Sequence, residues 1–263
     1  DDLEPDDEWG RAMTDLLTAN ASIRIGDLDE AAQAAAASAE RFEQVGEHSV
    51  IVEPIGLLAQ LATIRGDLEE GVRGYTDLVE RSRDLDLPAY LTYWLVARGI
   101  VHLRRGDLEA AANDLAEARD RRDSPVNTVA SLLGSARVAA LRGRPADTEL
   151  AQAFELLQRL GDHVGREVAL VVLGLDHIAR DEISAAHAVA RGLESRESGP
   201  VHVLWAAIGA AEGDHAAAER HLAHWDAVEG QAVGGNLGNL LAAEYERLRT
   251  ILGDGRGPRT VLA

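Results

Sequence analysis

The words Gly-Asp-Leu are spelled three times at a fixed interval: "IRIGDLDEAA" at 23–32, "TIRGDLEEGV" at 63–72 and "HLRRGDLEAAA" at 102–112. A chain that repeats itself at a constant step folds as a stack of like units, and this restricts the architecture before any other feature is read. The Gly-Asp pair stands at Gly26-Asp27, Gly66-Asp67, Gly106-Asp107 and Gly213-Asp214. Gly143-Arg144-Pro145 is a weaker copy, and Asp181-Glu182-Ile183 fills the remaining gap without a glycine. The successive steps are 40, 40, 37, 38 and 32 residues.

Each corner has a local physical reason. Residues upstream are spaced as on a helix face, as in Leu91, Trp94, Leu95 and Ile100. Glycine then ends the helix in the left-handed conformation at low cost. Aspartate caps the next helix by accepting its free backbone N–H groups. Glu30 and Glu70, three residues after Asp27 and Asp67, predict two capping boxes. Arg24, Arg65, Arg105, Arg142 and Arg180 precede the corners, where a helix C-terminus favours positive charge. The unit is therefore helix A, tight turn, helix B. A second register agrees: Ala19, Ala59, Gly99, Ala136, Gly174 and Ala206 lie seven residues before the six corners, and all are small. Ala31, Gly71, Ala111 and Ala218 lie five residues after the four clear ones. Small residues at matched positions let the two helices of a unit approach closely.

A small residue, then "GDL", then "xxA" resembles the tetratricopeptide repeat (TPR), although these units mostly exceed that family's 34 residues and lack most of its large aromatics. Over residues 9–252 the pattern also resembles the C-terminal sensor repeats of large bacterial transcription regulators. These are the Streptomyces antibiotic regulatory protein family and the large ATP-binding LuxR-type regulators. The resemblance implies an all-α, right-handed superhelix of about six TPR-like helix pairs whose A helices line the concave surface. The stripe Leu237, Leu240, Leu241, Tyr245, Leu248 and Ile251 reads as a seventh A helix without a partner, a C-terminal cap. Residues 1–8 read as an acidic edge segment, as if cut from a larger protein, and 253–263 as a flexible tail.

Composition removes several chemistries. All 26 Lys+Arg residues are arginine, and cysteine is absent. No lysine means no P-loop and no Schiff-base chemistry, and no cysteine means no disulfide or thiol nucleophile. Arginine and alanine excess with no lysine suggests a GC-rich bacterial source. No signal-peptide pattern is read, and the absence of cysteine is neutral about compartment, with a cytoplasmic origin the simpler expectation. The formal charge is −19, so direct nucleic-acid binding, which depends on neutralising phosphates, is not expected. No run of apolar residues is long enough to span a membrane.

Motifs that can carry chemistry are few. His215, Glu219, His221, His224 and Asp226 invite a metal search, but a polar helix face is the simpler account, since HxxH lacks the further ligands of a closed site. No metal or cofactor is assigned. His102 and His177, both four residues before a corner, can be drawn as lining one surface. "GGNLGN" at 234–239 has the composition of a phosphate loop, but no strand precedes it, so it reads as the opening turn of the last helix. Of the aromatics, Trp94 is assigned to the core, and Tyr93 to core or groove equally. No serine elbow and no carboxylate pair in an apolar pocket is recognisable, so no enzymatic activity is expected.

Carried over by register from each corner, the inner-face positions are Asn20, Arg24, Gln60, Tyr93, Arg104 and Arg137. Ile100, Leu133 and Val171 give that face an apolar floor. Such a groove suits a protein or peptide segment, including one from the chain's own full-length protein. The resulting expectation is a non-catalytic interaction module in the sensor arm of a bacterial transcription regulator. A small-molecule effector site is the alternative.

Overall fold

A computed structural model describes residues 7–121, 123–194, 199–227 and 235–253, and among these every regular element is a helix. Six pairs follow one another: α1 (Glu8–Ile25) with α2 (Leu28–Gln44), α3 (Val52–Ile64) with α4 (Leu68–Asp84), and α5 (Pro88–Arg105) with α6 (Leu108–Arg121). Then come α7 (Pro125–Leu141) with α8 (Asp147–Leu160), α9 (His163–Ala179) with α10 (Ile183–Glu194), and α11 (Gly199–Glu212) with α12 (His215–Ala227). A last helix, α13 (Gly235–Gly253), is followed by no second helix among the described residues. Each B helix packs on its own A helix, and consecutive units stack, as the repeat predicts. Among the described residues no helix is long and apolar enough to cross a membrane.

The corners form as predicted, with one correction. Gly26, Gly66, Gly106, Gly143 and Gly213 all take positive φ, between 66° and 84°. Asp27 and Asp67 accept the backbone N–H groups of Glu30 and Glu70 at 3.0 Å. The reciprocal half of the capping box is missing. The Asp27 N–H already donates to the Ser22 carbonyl at 2.9 Å, and the Asp67 N–H to that of Ala62 at 2.9 Å, both in the left-handed turn. With no free amide to reach for, Glu30 instead accepts from the Ser22 hydroxyl at 2.8 Å, and Glu70 pairs with Arg73. At the glycine-free corner Asp181 itself adopts φ 61°, and Glu182 N–H donates to His177 O at 2.8 Å.

The matched small residues are where helices touch. Ala19, Ala136 and Ala206 are fully buried, as are Ala31, Ala111 and Ala218. A Cβ on Gly174 would meet the Leu204 side chain at 2.6 Å. One on Gly56 would strike the Trp94 ring.

The arginines before the corners do more than answer a helix dipole: they reach back to the preceding corner. Arg65 donates to Leu28 O at 2.8 Å and pairs with Asp29. Arg105 pairs with Glu69 at 2.7 Å, and Arg142 donates to Leu108 O at 2.8 Å. Arg180 lies 3.8 Å from Asp147 and also pairs with the buried Asp176 at 2.8 Å. Arg24, at the first corner of the described residues, is exposed.

Most buried apolar residues of units two to six join α13 in one continuous core. Ala12, Leu16, Phe42 and Ile51 form a smaller separate cluster at the N-terminal end.

Candidate functional site

The last helix does not simply extend the stack. It packs against α5, α7, α9 and α11, most extensively α5, while also touching α12. These are the A helices of units three to six, so α13 lies across the inner face that the repeat pattern assigns to a partner. Leu237, Leu240, Leu241, Leu248 and Ile251 are buried there. Glu244 falls in the same i, i+3, i+4 stripe and is buried with them.

Glu244 is buried because a cation meets it. Arg137, on α7, is 1% exposed. Its Nε and Nη2 donate to the two Glu244 oxygens at 2.9 and 3.0 Å, a bidentate fork. Arg247, one turn further along α13, donates to the same carboxylate at 2.6 Å. Burial alone would raise the Glu244 carboxyl, but the attraction of Arg137 and Arg247 overrides it and holds the group at about 2. Burial lowers Arg137, yet a guanidinium starts so high that it stays charged. The buried Nη1 atoms of Arg137 and Arg247 have no hydrogen-bond acceptor among the described residues.

Further contacts fix the ends of α13. The Asn236 side chain donates to Tyr93 O at 3.1 Å. Arg104 Nη2 stands 3.8 Å from Glu246, while its Nη1 donates to Thr63 O at 2.8 Å. Near its C-terminal end Arg249 pairs with Glu219 of α12 at 2.9 Å, and Trp225 stacks on Tyr245 at 6.2 Å.

The six inner-face candidates therefore divide. Tyr93, Arg104 and Arg137 each bond or ion-pair with α13, so they serve an internal contact. Asn20 and Arg24 are exposed on α1, and Gln60 is half-buried on α3. Ile100, Leu133 and Val171 are buried in the core rather than forming an open floor. Trp94 is core, ringed by Tyr75, Tyr90 and Tyr93 with centroids 6.0, 6.3 and 4.7 Å away. Sequence reading did not single out Glu244, Arg247 or Asn236. A usable signal existed: Glu244 interrupts an otherwise apolar stripe, and Arg137 sits inside the apolar run "LLGSARVAAL".

His102 and His177 each turn to acids of their own units. His177 turns to Glu182 at 2.7 Å, at its own corner. His102 lies 3.9 Å from both Asp107 and Asp114, and burial lowers its pKa. In unit six His202 and His221 place their Nδ1 atoms 3.1 Å apart, and His224 lies against His202 with ring centroids 3.9 Å apart. Burial, with the repulsion of His224 and His221, pushes His202 down to about 4. Glu219 is turned away to Arg249. Among the described residues no group of three or more His, Asp or Glu side chains is arranged to hold a metal ion.

The fold matches solved helical-repeat structures. The apo form of RapI superposes with a TM-score of 0.69 at 13% identity, covering 96% of this chain and 88% of that one. A tetratricopeptide repeat protein from Parabacteroides merdae aligns with a TM-score of 0.41 at 13% identity, covering 89% of this chain and 99% of that one. No protein-family model matches the sequence, and no curated protein matches it.

Proposed function

We propose that this chain is a non-catalytic interaction module whose inner face binds a protein segment in helical form. The observation that carries the reading is the seat of α13: the A helices of units three to six already hold a helix, by apolar packing around a buried carboxylate–guanidinium pair. This is helix-in-groove recognition, with anchors at i, i+3, i+4 and i+7. The small-molecule alternative finds less support, because leucine side chains of α13 fill the space a ligand would need. The resemblance of the repeats to regulator sensor arms favours a place in a bacterial transcription regulator. Its partner is then a segment of another protein or of the same full-length chain. The charge of −19 argues against a direct role on nucleic acid.

The test is affinity capture with the immobilised chain, then titration of the purified partner. Asn20→Ala and Arg24→Ala, exposed on α1 at positions the repeat register assigns to the inner face, are expected to weaken binding about tenfold, the scale of one lost charge-assisted contact. Arg121→Ala, where Arg121 pairs with Asp123 at the end of a B helix, is the control and should bind as the parent does. Loss of binding in the control alone would move the working face to the outer surface.

A further inference from the structure

We propose that α13 is a replaceable resident of the inner face, and that the seat beneath it is selective for an amphipathic helix carrying a carboxylate at the Glu244 position. This rests on reading the inner face as a helix-binding surface. It adds the chemistry of the partner and the competition that partner must win.

The selectivity comes from Arg137. It belongs to the repeat array, not to α13, and it is buried in the floor of the seat. A buried guanidinium without a counter-charge is strongly disfavoured, because it loses water and gains no compensating partner. The bidentate acceptor that Arg137 has is Glu244, delivered by α13. Any helix that takes the place of α13 must therefore bring a carboxylate to the same point, midway along an apolar face. A neutral or basic helix leaves Arg137 stranded. Arg104 extends the preference, since its partner across the seat is also an acid, Glu246.

Replaceability comes from the topology. The corners, the arginine latches and the small-residue contacts all join repeat helices to one another. None of these contacts uses α13, so lifting it leaves the stack of units paired. The resident is also an imperfect match. It brings a second guanidinium, Arg247, to the carboxylate Arg137 needs, so one carboxylate is shared between two cations. A partner with a carboxylate and no adjacent arginine satisfies the seat better.

Two measurements decide the matter. In hydrogen exchange on the whole chain, the amides of α13 should exchange at least tenfold faster than those of α5 and α7, because α13 opens while the stack stays closed. Equal protection overturns the proposal, since α13 then opens only with the array. The second uses a labelled synthetic peptide of residues 235–253 and the whole chain carrying Leu241→Asp, which dislodges α13 and leaves every seat residue intact. The peptide should bind this variant at least tenfold more tightly than the parent chain, whose seat is filled. A peptide with Glu244→Arg should lose at least tenfold, and Arg137→Glu in the seat should restore it. Equal binding of the two peptides removes the carboxylate preference. No binding to a variant that keeps the parent's helical circular dichroism removes the replaceable seat, and so does a variant that loses its helix. A captured partner that binds while α13 stays fully protected sinks this inference and spares the interaction-module reading. Failure to capture any partner sinks that reading and leaves the exchange result standing.

Discussion

At the scale of single residues, conformation and charge make separable demands. Gly66 sits at φ 84°, which a β-branched side chain tolerates poorly. Gly66→Val is expected to lower stability by about 1–2 kcal/mol. Asp67→Ala should cost about 1 kcal/mol through the lost cap on Glu70 N–H. Asp181 makes the opposite case: it holds φ 61° where the other corners use glycine, so Asp181→Gly should raise stability by about 0.5–1 kcal/mol. Thermal or urea unfolding reads all three. Charge predicts a pH profile. Glu244 is held at about 2 against an ordinary 4.5. A carboxyl depressed on folding stabilises above its unfolded value, and the stabilisation is lost as pH falls through the folded one. The melting temperature should therefore drop between pH 4.5 and 2, and Glu244→Gln should lack that component of the drop. His202 is a base pushed down from 6.5 to about 4, so the unfolded chain takes up its proton first and stability declines as pH falls across that interval. His202→Gln should flatten that decline.

At the scale of elements, what matters is which faces meet. Gly56 on α3 admits the Trp94 ring of α5. Gly56→Ala should destabilise by about 1–3 kcal/mol through overpacking, read by denaturant unfolding. The latch arginines act between elements, but they are partly exposed pairs. Removing one, as in Arg65→Ala, should cost no more than about 1 kcal/mol. Their regular recurrence sets the stacking of one corner on the next more than it sets total stability. The last helix is different in kind. It is joined to four A helices, so Leu241→Ala should cost about 2–5 kcal/mol when measured as global stability.

At the scale of the molecule, the array is not uniform. Units three to six surround α13 and share one core with unit two, while the first pair rests partly on the small cluster of Ala12, Leu16, Phe42 and Ile51. Repeat arrays are held by nearest-neighbour interfaces, so the less supported end opens first. Amides in α1 and α2 should exchange faster than those in α5 and α7. The whole chain, with its charge of −19, should show no salt-sensitive shift with duplex DNA at physiological ionic strength. Such a shift would contradict the protein-partner reading directly.

Local conformation was legible in the sequence because it depends on neighbours a few residues away. Glycine before aspartate makes a turn, small residues seven before and five after it make a close crossing, and the repeat multiplies both. The same reasoning placed the corner at Asp181 without a glycine. The partner of each arginine was not legible, because it lies a whole unit or more away. Arg65 and Arg142 read as dipole partners, yet each also reaches the preceding corner. Arg137 read as a groove residue open to a ligand, and Glu244, 107 residues later, closes over it. An apolar stripe states that a helix will be buried but not where. Burying α13 on the inner face rather than beyond α12 required Glu244 to meet Arg137 and five apolar side chains to find space among α5, α7, α9 and α11. Only the stacking of four successive A helices brings those surfaces together.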